Sequence, residues 1–133
     1  MKNIERISWK GRLLACVVRG RLDPRKTAFL TPPEFNLQVG FVAHPAGGVV
    51  DRHLHRPLRR SIIGTSEVLV VKKGRCWLDV YDDGRKKVAT RLLRAGDILF
   101  LVAGGHGFRM LEDTVFLEVK QGPYTGLDEK ERF

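Results

Sequence analysis

The sequence predicts an all-β fold, an antiparallel sandwich or barrel, and three observations carry that prediction. Apolar residues recur in short segments with the two-residue alternation of half-buried strands. Turn signals such as KGR, DDGR and LEDT separate these segments at short intervals. No long stretch repeats its apolar residues with a helical period.

Taken in order, ISW (7–9) and LLACVVR (13–19) flank KGR and predict an N-terminal hairpin. Residues 21–35 are punctuated by Pro24, Pro32 and Pro33 and predict an irregular connection. Strand-like segments follow: LQVGFVAH, VVDRHLH, SEVLVVKK, RCWLDVYDD, KKVATRLL, DILFLV, HGFRML and TVFLEVKQ. The tail QGPYTGLDEKERF is polar and reads as a loose end or a strap over a neighbouring subunit. A chain of 133 residues fits one domain. Its expected parts are residues 1–35 as N-terminal strands and loop, 36–121 as barrel core and 122–133 as tail.

The longest apolar runs, LLACVV and ILFLVA, have six residues each, whereas a membrane helix needs about 20. MKNIER is charged where an export signal would be apolar, so a reducing, cytoplasmic setting is expected. Cys16 and Cys76 lie within strand-like segments and read as small buried apolar residues. The formal charge of +9 comes from basic residues spread along the whole chain, the densest group being Arg52, Arg56, Arg59 and Arg60. With no zinc-finger, RNP or helix-turn-helix pattern, a solvated basic surface is expected and a nucleic-acid partner is not.

Hairpin registers assign side chains to faces. A Lys73-Gly74 turn would set Val71 opposite Cys76, Leu69 opposite Leu78 and Glu67 opposite Val80, with Val68, Val70, Trp77, Asp79 and Tyr81 on the other face. Glu67 is then the one charged group on an inward row, which is costly without a partner or a metal. A Glu112-Asp113 turn would set His106 opposite Val119 on an inner face, with Arg109, Phe116, Glu118 and Lys120 outward. In VVDRHLH, alternation puts Asp51, His53 and His55 on one side.

The ordered pattern is Gly47, five residues, His53-Leu-His55, then Glu67, six residues, Gly74; later come Gly96, five residues, and VAGGH ending at His106. This resembles the cupin superfamily, whose motifs are G-x5-HxH-x3/4-E-x6-G and G-x5-PxG-x2-H-x3-N. The resemblance spans residues 47–110. Eleven residues here separate HxH from Glu67, Val102 replaces the motif proline, one residue is missing before His106, and Met110 stands at the asparagine position.

The resemblance implies a double-stranded β-helix, or jelly-roll, barrel with an N-terminal hairpin extension. It implies His53, His55, Glu67 and His106 as ligands of one divalent transition metal; Asp51, on the same inferred face as His53, is the alternative carboxylate. Imidazole and carboxylate donors suit zinc, manganese, iron, nickel or copper. It further implies a small-molecule ligand such as a sugar, sugar phosphate or short carboxylic acid, and a homodimer, for which an outward apolar strip of Trp77, Tyr81, Val68 and Val70 is the expected surface. Arg59 and Arg60 would hold an anionic ligand at the barrel mouth. Isomerase- or lyase-type chemistry would use as general base a metal-bound hydroxide, or Glu67 when it is not bound to the ion. A non-catalytic effector-binding barrel and an iron-dependent dioxygenase are the alternatives.

Overall fold

Alternation of apolar and polar residues is realised as antiparallel sheets throughout. A computed structural model describes residues 2–133. The strands are β1 (Ile4–Trp9), β2 (Arg12–Val18), β3 (Ala28–Phe29), β4 (Gly40–Phe41), β5 (Glu67–Lys73), β6 (Arg75–Tyr81), β7 (Lys87–Arg94), β8 (Ile98–Leu101), β9 (Gly105–Met110) and β10 (Val115–Lys120). A 3-10 turn, Gly126–Glu129, follows. The protein is all-β, and among the described residues no helix is long and apolar enough to cross a membrane.

Chain contacts divide the molecule into two compact units, Met1–Leu22 with Thr65–Phe133, and Asp23–Gly64. The first unit holds a five-stranded sheet, β1-β2-β8-β5-β10, and a three-stranded sheet, β7-β6-β9. Their inner rows share one core. Leu14, Val17, Leu69, Val71 and Leu99 come from one sheet, and Cys76, Leu78, Val80 and Leu93 from the other. Both cysteines are buried and free, as expected of small apolar residues.

Two predicted hairpins are replaced by crossings between the sheets. β5 pairs with β8 and β10, whereas β6 pairs with β7 and β9. The Lys73-Gly74 turn therefore carries the chain from one sheet to the other. Gly74 takes φ 89°, and a Cβ there would meet the Asp113 carbonyl and Thr114, so only glycine makes this corner without strain. The inward row survives the change: Glu67, Leu69, Val71, Cys76, Leu78 and Val80 are all buried. β9 and β10 likewise lie in different sheets. Phe116, Glu118 and Lys120 are opposite Val71, Leu69 and Glu67, so they share the face of the inner row; Phe116 and Lys120 are half-buried there, against expectation, while Glu118 is exposed. Val68 and Val70 belong to one sheet and Trp77 and Tyr81 to the other, so the expected continuous outer strip is two separate surfaces.

An ionic clasp, unanticipated from the sequence, joins the sheets at β1 and β7. Arg91 donates to Glu5 at 2.7 Å, and Arg19 donates to Glu5 at 2.8 Å, to Asp97 at 3.1 Å and to the Leu92 carbonyl at 2.7 Å. Arg19 and then Arg91 hold the Glu5 carboxyl below its ordinary value. Asp97 also accepts from the Gly20 and Arg94 amides, so one carboxylate ties two loops together.

In the second unit β3 and β4 form a short antiparallel pair, with Ala28 opposite Phe41. Gln38 donates to the carbonyls of Pro32, Pro33 and Phe35, and so organises the proline-rich connection. The segments LQVGFVAH and VVDRHLH depart from expectation. Only Gly40–Phe41 of the first is strand, and the second is extended coil with every residue exposed. Alternation marks a segment as able to pair, but a strand exists only where a partner's backbone completes the ladder.

Candidate functional site

The first unit brings two of the proposed ligands together. Glu67 opens β5 on the inner row, and His106 lies on β9 opposite Val80, which faces the core. The His106 Nε2 is 3.3 Å from Glu67 Oε2. The Glu67 side chain is 10% exposed and that of His106 34%, so the pair spans the boundary between core and solvent. The His106 imidazole holds the Glu67 carboxyl below its ordinary value, against the opposing effect of burial; Lys120 and Lys130 add in the same direction. Lys120 is opposite Glu67 in the β10–β5 register, and neither lysine was anticipated from the sequence.

The C-terminal tail crosses this same end of the sandwich and contacts its own chain. Thr65 donates to Glu129 at 3.0 Å, and Lys120 Nζ is 3.7 Å from the other Glu129 oxygen. Arg85 donates to Glu131 at 2.6 Å, while the Phe133 ring packs edge-on against Tyr81 at 5.1 Å. The tail, expected as a loose end or a strap over a neighbouring subunit, is thus not loose at Glu129, Glu131 and Phe133, which lie against their own chain.

The strand registers put a further feature at this end, an open cleft of about 500 Å³ lined by Trp9, Lys10, Arg12, Asp82, Asp83 and Lys86. Arg12 pairs with Asp83 at 2.6 Å, and Lys10, over the Trp9 ring, and Lys86 are the other cations of the lining. The signal in the sequence was the basic residues placed in two predicted turns.

The second unit brings another pair together. The His53 and His55 rings meet edge-on at 5.3 Å, and His53 Nδ1 is 2.8 Å from the Asp51 carbonyl oxygen. That contact engages one ring nitrogen, as a carbonyl partner does in many metal-binding histidines. His44, Asp51, Arg59 and Arg60 are exposed in the same unit. Among the described residues no three His, Cys, Asp or Glu side chains are gathered around a common point. The glycines of both sequence motifs, Gly47, Gly74, Gly96 and Gly104, all have positive φ.

On the outward face of β6, Asp79 is buried and accepts from Arg109 at 3.0 and 3.1 Å and from Thr90 at 2.6 Å. Arg109 first, then Thr90, hold it down to about 2. All its oxygens are engaged by residues of its own sheet, so this cluster fastens three strands and has no open position for a ligand. Compared with known proteins, the chain matches no family model, no curated protein and no solved structure.

Proposed function

We propose that the chain is a small metal-binding barrel of the cupin type, which holds a small anionic molecule at a divalent transition metal ligated by His53, His55, Glu67 and His106. The observation that supports this reading most is the Glu67–His106 pair: a carboxylate on the core row whose close partner is an imidazole at the solvent boundary. A structural carboxylate is satisfied more fully, as Asp79 and Asp97 are by several donors each. Glu67 instead retains acceptor capacity, and His106 a ring nitrogen, which is the donor chemistry that borderline divalent ions take.

When bound, such an ion would act as a Lewis acid on a carbonyl or hydroxyl oxygen of the ligand. The chain's own residues supply the remaining functions. Glu67, kept ionised by His106 and the neighbouring lysines, would accept a proton at a carboxylate oxygen when it is not bound to the ion. Arg59 and Arg60 supply guanidinium groups to a carboxylate or phosphate of the ligand. Isomerase- or lyase-type chemistry on a sugar, sugar phosphate or short carboxylic acid is the reaction class these roles fit. The protein acts as a homodimer in this reading.

Calorimetric titration of metal-free protein with manganese, iron, nickel, copper and zinc ions tests the reading. Glu67→Gln and His106→Ala should each weaken binding of the preferred ion by at least about tenfold, the usual effect of deleting a ligand or its immediate support. Unchanged affinity in both variants would refute it. Metal binding without chemical change of any candidate ligand would favour the non-catalytic effector-binding alternative.

A further inference from the structure

The two edges of the three-stranded sheet differ. At β7, which pairs only with β6, Arg91 bridges by its side chain to Glu5 of β1 in the facing sheet. At β9 the side away from β6 pairs with no strand among the described residues. A free strand edge presents a row of N–H and C=O groups that a further strand can complete.

The chain also carries a segment with the complementary deficiency. VVDRHLHR (49–56) alternates as a strand does, yet it is coil and takes no part in any sheet. Its apolar side chains are exposed in the single chain, Val49 at 81%, Val50 at 59% and Leu54 at 79%. Eight residues of this kind are long enough to pair along the six of β9.

We propose that residues 49–56 of one copy of this chain add as a fourth strand to the β9 edge of a second copy, so that His53 and His55 are supplied to the Glu67–His106 pair in trans. This rests on the metal-binding reading above. Directly opposed residues on neighbouring antiparallel strands bring their Cβ atoms to about 4.5–5.5 Å, and alternate residues keep one face. His106 is on the inner row of β9. A strand laid beside β9 with a histidine opposite His106 therefore delivers both histidines of HxH to the inner face, and Leu54 and Arg52 to the outer one. With His55 opposite His106, Leu54 lies beside Gly107, where an added Cβ would meet nothing within 4 Å, and Arg56 lies beside Gly105, against which Phe133 packs. Backbone pairing supplies the affinity, as in strand-addition complexes generally. The exchange is reciprocal: each copy gives an arm and receives one, which closes a two-fold dimer.

The test uses two variants carrying different affinity tags free of histidine, His53→Ala/His55→Ala and Glu67→Gln/His106→Ala, co-expressed so that the mixed dimer can be isolated through both tags. Each parent alone should hold no metal, and the mixed dimer should hold half the wild-type metal per chain, because one of its two sites is intact. A mixed dimer without metal, where wild type binds it, would overturn supply in trans. Wild type without metal would instead refute the metal reading. Hydrogen exchange on wild type judges the strand exchange independently of metal and of variant folding. Protection of amides 49–56 and 105–110 that is lost on dilution to monomer supports it. Protection insensitive to dilution, or no protection of 49–56, overturns it.

Discussion

Replacing Glu67 and His106 singly and together separates a functional pair from a structural one. Glu67 is 10% exposed at its side chain and lies 3.3 Å from His106, itself one-third exposed. A hydrogen bond with one charged partner contributes about 1.5–3 kcal/mol, and partial exposure brings the expectation below that range. Glu67→Gln and His106→Gln should therefore show a coupling energy of about 1 kcal/mol in a double-mutant cycle read by urea unfolding at pH 7. The sign with pH follows from the lowered carboxyl. Its contribution is complete above the ordinary value of 4.5 and is lost as pH falls through the lower folded value, so the coupling should disappear in strong acid. The apolar pair Glu67→Leu/His106→Phe should be neutral or stabilising, since Leu69 and Val71 continue the same row and Phe108 neighbours His106 at 5.9 Å. Such a gain would mean that the native pair is kept at a cost to stability. No measurable coupling at pH 7, or an apolar pair destabilised by more than about 2 kcal/mol, would refute the reasoning.

Other consequences are equally open to measurement. Asp79, held at about 2 against an ordinary 3.8, stabilises the fold above 3.8; acid titration of unfolding free energy should lose about 2 kcal/mol between these values, and Asp79→Asn should abolish that loss. Leu78→Ala should cost about 2–5 kcal/mol in chemical denaturation, since Leu78 is fully buried at the centre of the core. Gly74→Ala should destabilise by more than about 1 kcal/mol, because it combines a positive φ with collision against Asp113 and Thr114. Arg59→Ala/Arg60→Ala should weaken an anionic ligand while leaving metal content unchanged, as read by ligand titration and elemental analysis.

The faces of β5 and β6 were legible in the sequence, and the strands' partners were not. Glu67, Leu69, Val71, Cys76, Leu78 and Val80 form one inward row whether Lys73-Gly74 makes a hairpin or a corner, because alternation continues through either. What separates the two is the close approach of Asp113 and Thr114 to Gly74, a contact distant in sequence. The Glu67–His106 pair was legible for the same reason, as the lone carboxylate and the lone histidine on inward rows. Lys120 was missed because its face was inferred from a β9–β10 hairpin that does not form. The Arg19 and Arg91 clasp to Glu5 joins residues 14 and 86 positions apart, beyond the reach of local pattern. His53 and His55 show the limit from the other side. Their alternation is strand-like, yet the single chain gives it no ladder, so local preference alone left the segment as coil.

Elemental analysis of the untagged protein beside a His53→Ala/His106→Ala variant tests the central claim most directly. The account predicts one divalent transition metal per chain in the wild type and its loss from the variant. A wild type that takes up none of manganese, iron, nickel, copper or zinc after reconstitution would contradict it, and would make these histidines structural.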